Sequence, residues 1–530
     1  MNRIEQLSKI SSIEQFDLCI IGGGATGAGI ALDATLRGLK VLLIDKADFA
    51  GQTTSKSTKL IHGGVRYLEQ AVKKLDWEQY KMVQKSLHER DTLIKNAPHL
   101  TRPLALLTPC YSWIEGIYLT IGLKLYEWIA GNHGIGASKW LSRKEALKTI
   151  PELKKENLTS AVLYYDGQLD DARYCLAIIQ KAEALGATVL NYAEAVRFEK
   201  DSEGKLTALT IKDNVSNNTL TVQSKVFINA TGPFADHIRK MANTKLKPRM
   251  KVSRGAHIVL PTSLMKNETA ILVPKTDDGR VLFIIPWQDH LLVGTTDEED
   301  KLSENPDLES YEIPYLLSYV NRYLEKEVTP EEITSGFAGQ RPLLGKAEKS
   351  SDTKSLVRDH EVEIDKSSQL VSIMGGKWTT YRLMAKDTID HVYETIWHKE
   401  PVLCTSEHQL LHGAEGYHFE DWQQLVSQYH ISPIIAQHLM KKYGSLAGTV
   451  LSLTNNQPEL KELVHPNHPF IKAEIIYAIQ EEMAVTTQDV LNRRLGLGLR
   501  DAQAAKASEG LVEAFLSPGK TFISHQNIEN

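Results

Sequence analysis

Residues 58–69 read TKLIHGGVRYLE. Within a few positions they supply an imidazole (His62), two glycines (Gly63, Gly64), a guanidinium (Arg66) and a phenol (Tyr67). Imidazole accepts a proton near neutral pH. The planar guanidinium fork donates two parallel hydrogen bonds to an anion. Adjacent glycines let the backbone pass close to a ligand where a Cβ would clash. The stretch therefore reads as a ligand-facing loop entering a helix, with a plain glycine turn before a surface helix as the alternative. Other residues suited to chemistry stand apart from it: His257 in RGAHIVL, Thr295 and Thr296 in VGTTDEE, Arg341 in GFAGQRPLLG, Arg358 in LVRDHEVE and Lys377 after Gly375–Gly376. The net charge is −5, so an anionic substrate needs a local cluster of cations, and a nucleic-acid partner is not expected.

The element that must position such groups begins at residue 16. FDLCIIGGGATGAGIALDATLRGLKVLLIDKAD reads as strand, glycine turn, helix, strand and acid. Gly22 permits the tight turn, Gly24 lets the backbone approach a pyrophosphate, and Gly27 allows the helix to pack on the strand. The helix N-terminus offers free N–H groups and partial positive charge to the phosphates. Asp45 can accept from a ribose hydroxyl. In this context the GxGxxG pattern is a strong dinucleotide signal.

Two later stretches favour FAD over NAD. VFINATGPFAD (226–236) is a strand breaking into Ala230, Thr231 and Gly232, a turn suited to the adenosine half. SIMGGKWTTYRLMAKD (372–387) is a strand, then Gly375–Gly376, then a helix. Its glycines let amides approach a flavin ring, and the helix N-terminus can offset negative charge on the reduced ring.

SKSTKLIHGGVRYLE, RGAHIVLP, IIPWQDHLLVGTTDEE, GQRPLL, VRDHEVE and GGKWTTYR together resemble the FAD-dependent (aerobic) glycerol-3-phosphate dehydrogenases, over residues of about 16–395. QDVLNRRLGLGLRD looks like that family's C-terminal helical domain. The resemblance implies oxidation of sn-glycerol 3-phosphate to dihydroxyacetone phosphate. A hydride passes from C2 to N5 of a non-covalently held FAD, and the electrons go on to a quinone or another acceptor. It implies that Arg341 and Arg358 hold the substrate phosphate. It also implies that Ser55, Ser57, Thr58, Lys59 and Thr379 join the cofactor site with the glycines above.

On residue chemistry His257 is the first choice for the base, because cations nearby keep imidazole neutral; His62 is the second. Distances must decide between them. Gly63 and Gly64 would let the chain pass the flavin face, with His62 beside it and Arg66 and Tyr67 directed to substrate. Lys377 would contact substrate or offset charge on the reduced ring, and Thr295 and Thr296 would line the pocket or simply end a hairpin. The alternatives are a glycerol-3-phosphate oxidase, an amino-acid oxidase and a non-catalytic flavoprotein.

The expected fold is α/β. A Rossmann-like FAD-binding domain is built from 16–95, 155–240 and 340–400. Residues 96–154 and 241–339 form a substrate domain, whose HIVLP, RVLFIIPW and HLLVGTT are antiparallel strands. Residues 401–530 are helical, with Ile475, Ile476, Ile479 and Met483 on one face, then Val490 and Leu491. Cys19, Cys110, Cys175 and Cys404 are scattered, which predicts a reducing compartment and no metal site. The polar N-terminus predicts no secretory signal, and no membrane span is expected. WIEGIYLTIGLKLYEWIAG (113–131) is either a buried helix or one lying shallowly in a membrane surface. The expected location is cytoplasmic with peripheral contact at the inner face of the cell membrane. A homodimer is compatible with the resemblance.

Overall fold

The computed structural model describes residues 1–64, 76–277, 279–345 and 360–517. Arg66, Tyr67 and Arg358, expected at the substrate pocket, lie outside the described residues. Two sheets and a helical C-terminal region make up the chain.

The first sheet is built around Phe16–Ile21, which pairs in parallel with Val41–Ile44 on one side and Thr219–Asn229 on the other. Thr188–Leu190 and Val371–Gly375 extend it, also in parallel, and His360–Ile364 closes one edge antiparallel. All four residues of Val41–Ile44 are buried, as a parallel strand covered on both faces requires. Helices Ala25–Leu36, Asp171–Ala184 and Tyr381–His391 supply cover, and their apolar side chains join the strands in one core.

The second sheet runs, in spatial order, Glu298–Glu299, Met250–Pro261, His290–Gly294, Leu282–Trp287, Ala270–Val273, Thr101–Cys110, Ser160–Leu169 and Leu60–Ile61. The strands read as HIVLP, RVLFIIPW and HLLVGTT do pair antiparallel, with His257 opposite Gly294 and Phe283 opposite Gly294 from the other side. Ser335–Leu344 pairs with the far edge of Met250–Pro261 along its whole length. The segment 155–240 enters this sheet first, because Ser160–Leu169 pairs along Thr101–Cys110, and only then crosses to the first sheet.

From Trp422 to Leu516 the regular structure is helical, with Ile475, Ile476, Val490 and Leu491 buried. Residues 113–130 form one helix, capped at its N-terminus by Ser112. It buries Leu123, Tyr126 and Ile129 but exposes Trp113, Ile114, Ile117, Ile121 and Trp128.

Candidate active site

One cavity of about 1400 Å³ runs from the glycine turn to the edge of the second sheet. At its first end Gly22 has φ +112°, and a Cβ there would stand 2.6 Å from the Ala230 carbonyl oxygen. The chain can therefore turn sharply from strand to helix only with glycine. Gly24 contributes no side-chain cap to the helix it opens, and Gly24, Ala25 and Thr26 face the cavity. Ala25 N donates to Thr54 Oγ1 at 3.0 Å. A helix start whose N-cap residue has no side chain leaves amides and partial positive charge for phosphates. Gly27 lies off the cavity wall: a Cβ there would be 1.8 Å from the Gly22 oxygen, so it seats the helix on the turn.

Asp45 follows the strand Val41–Ile44 on the cavity wall and accepts from Gly23 N at 2.7 Å and Ala47 N at 2.9 Å. Burial pushes its carboxyl up to about 6, with the two amides offsetting part of the rise. Ala230, Thr231 and Gly232 line the same end, with the Thr231 hydroxyl donating to Asn229 Oδ1 at 2.7 Å. Gly375 (φ +75°) and Gly376 (φ +85°) turn the chain past the cavity, with Lys377 and Thr379 on its wall. The Lys377 ammonium lies 3.7 Å from Met82 Sδ. A helix start capped by glycine, a carboxylate just past a strand end and a left-handed glycine pair fit the pyrophosphate, ribose and flat ring of a flavin dinucleotide.

The loop between the sheets corrects part of the expected cofactor set. Ser57, Thr58, His62 and Gly64 face the cavity. Lys59 does not: it is buried, and its Nζ donates to Asp171 Oδ1 at 2.6 Å and to Ser55 O at 2.5 Å. Its charge is used inside the protein, and Ser55 is buried beside it, donating to Gln52 O at 3.4 Å. Gly63 packs away from the cavity, since a Cβ would meet Leu87 at 2.7 Å and Tyr126 at 2.8 Å. Only Gly64, at φ +82°, opens to the cavity. Thr54, missed in the sequence, takes the place next to the helix start. The one signal for it was the run of hydroxyl residues in GQTTSKST.

At the other end the strand pairing assembles the reactive groups. His257 stands opposite Phe337, Gly255 opposite Gly339 and Ser253 opposite Arg341, so all six share one face. The His257 ring stacks on Phe337 at 5.1 Å between centroids. Its Nε2 lies 3.0 Å from Thr58 Oγ1, and its Nδ1 is buried without a hydrogen-bond partner among the described residues. Burial, reinforced by the Arg341 and Lys59 charges, holds this imidazole well below its ordinary 6.5. It is therefore neutral and able to accept a proton.

Arg341 reaches back from its strand over Gly255. It donates to Thr295 Oγ1 at 2.9 Å, the Thr296 carbonyl at 3.0 Å and Asp297 Oδ1 at 3.2 Å. Its guanidinium and Thr295 both face the cavity. Thr296 also lines the cavity, but its buried hydroxyl is engaged within the protein, accepting from Ala256 N and donating to Glu312, each at 2.8 Å. Asp297, Gly255 and Gly294 were not found from sequence. Their significance lies in what packs above them.

Residues 17–381 match the model of the FAD dependent oxidoreductase family, and 404–517 match that of the C-terminal domain of alpha-glycerophosphate oxidase. The chain is 40% identical over 510 residues to a probable mitochondrial glycerol-3-phosphate dehydrogenase of Caenorhabditis elegans, covering 95% of this chain and 70% of that one. It is 40% identical over 516 residues to the mitochondrial glycerol-3-phosphate dehydrogenase of Homo sapiens, with the same coverage of 95% and 70%. Among solved structures, the glycerol-3-phosphate dehydrogenase of Bacillus halodurans complexed with FAD superposes with a TM-score of 0.78 at 29% identity, covering 97% of this chain and 92% of that chain. The L-alpha-glycerophosphate oxidase of Mycoplasma pneumoniae shares the fold, with a TM-score of 0.56 at 17% identity over 75% of this chain and 99% of its own.

Proposed function

We propose that this chain, which belongs to the FAD-dependent glycerol-3-phosphate dehydrogenases, oxidises the C2 alcohol of sn-glycerol 3-phosphate to the ketone of dihydroxyacetone phosphate at the cavity described above. FAD is its cofactor and, when bound, supplies a two-electron acceptor for the C2 hydride. Gly22, Gly24, Thr26 and Asp45 would hold its dinucleotide half, and Gly64, Gly375, Gly376 and Thr379 would flank its ring.

The observation that carries the reading is that His257 and Arg341 share one face of a strand pair opening on this cavity. Arg341 holds the substrate phosphate, with Thr295 keeping the guanidinium in place. That anchor sets the distance at which C2 stands from the ring, and positioning of this kind supplies much of a rate enhancement. His257 takes the hydroxyl proton at Nε2. Thr58 Oγ1 lies on the cavity side at 3.0 Å and hands the proton across. Burial, reinforced by two positive neighbours, keeps the imidazole neutral, ready for the next turnover. His62 and Lys377, both on the wall, complete the polar surface around the substrate.

The electrons pass to a quinone or another acceptor. A quinone acceptor requires access to the bilayer, and no described helix is long and apolar enough to cross one. The helix Trp113–Ala130 suits peripheral attachment instead. Ile114 is 82% exposed, Trp128 73% and Ile121 66%, and Trp77 and Trp140 are also exposed. An apolar face rich in Trp and Ile lies in the interface plane rather than across it.

The experiment that tests the reading is Arg341→Ala. Loss of a charge-assisted contact of about 1.5–3 kcal/mol should raise the substrate requirement about 10- to 100-fold with FAD still bound. Unchanged substrate affinity would remove the phosphate anchor.

A further inference from the structure

The segment QDVLNRRLGLGLRD takes no part in the chemistry above, yet two of its arginines bond to Asp48, which borders the cofactor end of the cavity. We propose that Arg493 and Arg494, acting through Asp48, position the loop that carries Asp45 and thereby set the affinity for FAD. The inference rests on the reading of this cavity as the FAD site.

Residues 45–51 form no helix or strand. On one side this loop is bonded to the glycine turn: Gly23 N donates to Asp45 Oδ2 at 2.7 Å, and Ala50 N donates to Gly23 O at 3.0 Å. The Phe49 ring fills the space where a Cβ on Gly23 would stand, 2.5 Å away. A shift of the loop therefore moves both the glycine turn and the ribose-facing carboxylate.

On the other side the loop is held by charge. Asp48, buried, accepts from Arg494 through both oxygens, at 2.6 and 2.8 Å, and from Arg493 Nε at 2.5 Å. Asn191 Nδ2 adds a contact at 3.1 Å. Burial alone would raise the Asp48 carboxyl, but Arg494 and Arg493 more than offset it and hold it at about 2. The arginines are themselves fixed. Arg494 donates to the Glu482 carbonyl at 2.6 Å, and Arg493 pairs with Asp489, which accepts from Tyr192 OH at 2.8 Å. Tyr192 N in turn donates to Ala47 O at 2.9 Å, closing the ring of contacts around the loop.

Without a guanidinium the Asp48 carboxylate is left buried and under-compensated, and such a group seeks water. Asp48 borders the cavity, so its route to water displaces the loop toward the space the cofactor needs. Arg493 and Arg494 thus act on FAD through other residues and are positioning residues.

The test uses the full chain stripped of flavin and titrated with FAD, with quenching of FAD fluorescence as the readout. Arg494→Met should weaken FAD binding about 10- to 100-fold, the range for loss of a charge-assisted hydrogen bond. Arg493→Gln should weaken it less, and Arg493→Lys should restore most of that loss. Where Arg494→Met fails to fold, the Arg493 pair carries the test, since its side chain is 13% exposed whereas that of Arg494 is fully buried. FAD dissociation constants within twofold of the parent for Arg493→Gln and Asp48→Asn would overturn the inference. So would a fall in Tm that is the same with and without saturating FAD, which marks a purely structural role. An unmodified protein that takes up no FAD would fail the reading of the cavity; a parent that binds tightly beside variants that bind equally well would fail this inference alone.

Discussion

Gly255 lies directly beneath the guanidinium of Arg341: a Cβ at this position would stand 2.3 Å from Nη2 and 2.7 Å from Cζ. The glycine lets a side chain rooted opposite Ser253 fold back along its strand toward His257. Gly255→Ala should therefore lift Arg341 off the strand face. We expect the KM for glycerol 3-phosphate to rise about 10-fold or more, from loss of part of a charge-assisted contact, with FAD content unchanged. Steady-state kinetics beside a flavin absorbance ratio checks both.

Gly294 plays the same part for the base. Its added Cβ would stand 2.3 Å from His257 Cδ2. Gly294→Ala should turn the imidazole away from Thr58 and lower kcat about 10²-fold, the lower end of what a positioned general base contributes. The substrate dissociation constant should change less than kcat, and a single-turnover measurement separates the two.

The pH profile follows from His257. Its folded pKa lies well below 6.5 because of burial, then Arg341, then Lys59. The base form exists above the folded pKa, so kcat should hold steady as pH falls from 8 through 6.5 and decline only at lower pH. Arg341→Gln removes one of the depressing charges and should move that acid limb upward. The same depression costs stability in acid. The unfolded chain binds the proton below its ordinary 6.5 while the folded chain does not, so stability falls as pH drops below that value. A parent kcat that halves near pH 6.5 would contradict the assignment.

Lys59 makes a separate prediction about stability. Lys59→Met leaves Asp171 buried without its cation, a change costing about 3–5 kcal/mol. Chemical denaturation should show the loss. A direct role in holding pyrophosphate would instead appear as weaker FAD binding in a protein of near-parent stability.

These cases show which parts of the site could be read in the sequence. The glycine turn, the helix that follows it and Asp45 were legible because they form one local unit whose spacing carries its geometry. The strands around residues 257, 284 and 292 were legible from their apolar runs. The meeting of His257 with Arg341 was not, since it depends on the pairing of Met250–Pro261 with Ser335–Leu344, far away in the chain. Lys59 looked like a phosphate ligand because its partner, Asp171, lies 112 residues further on. Gly63 and Gly64 looked alike in sequence, and only packing against Leu87 and Tyr126 separates them. The sequence of Trp113–Ala130 allows both a buried and a membrane-surface helix for the same reason: periodicity does not say what covers a helix.

That face gives a prediction of its own. Ile117→Lys combined with Ile121→Lys should abolish co-sedimentation with phospholipid vesicles while leaving turnover with a water-soluble acceptor intact. Undiminished vesicle binding would exclude this helix as the attachment surface.

The most direct measurement of the central claim is the reductive half-reaction. The FAD-loaded protein is mixed with sn-glycerol 3-phosphate without oxygen while the flavin absorbance is followed. The account requires rapid bleaching, one dihydroxyacetone phosphate formed per flavin reduced, and a much higher half-saturating concentration for Arg341→Ala. A flavin that stays oxidised in excess substrate, or an Arg341→Ala protein that bleaches at the parent's concentration, would contradict it.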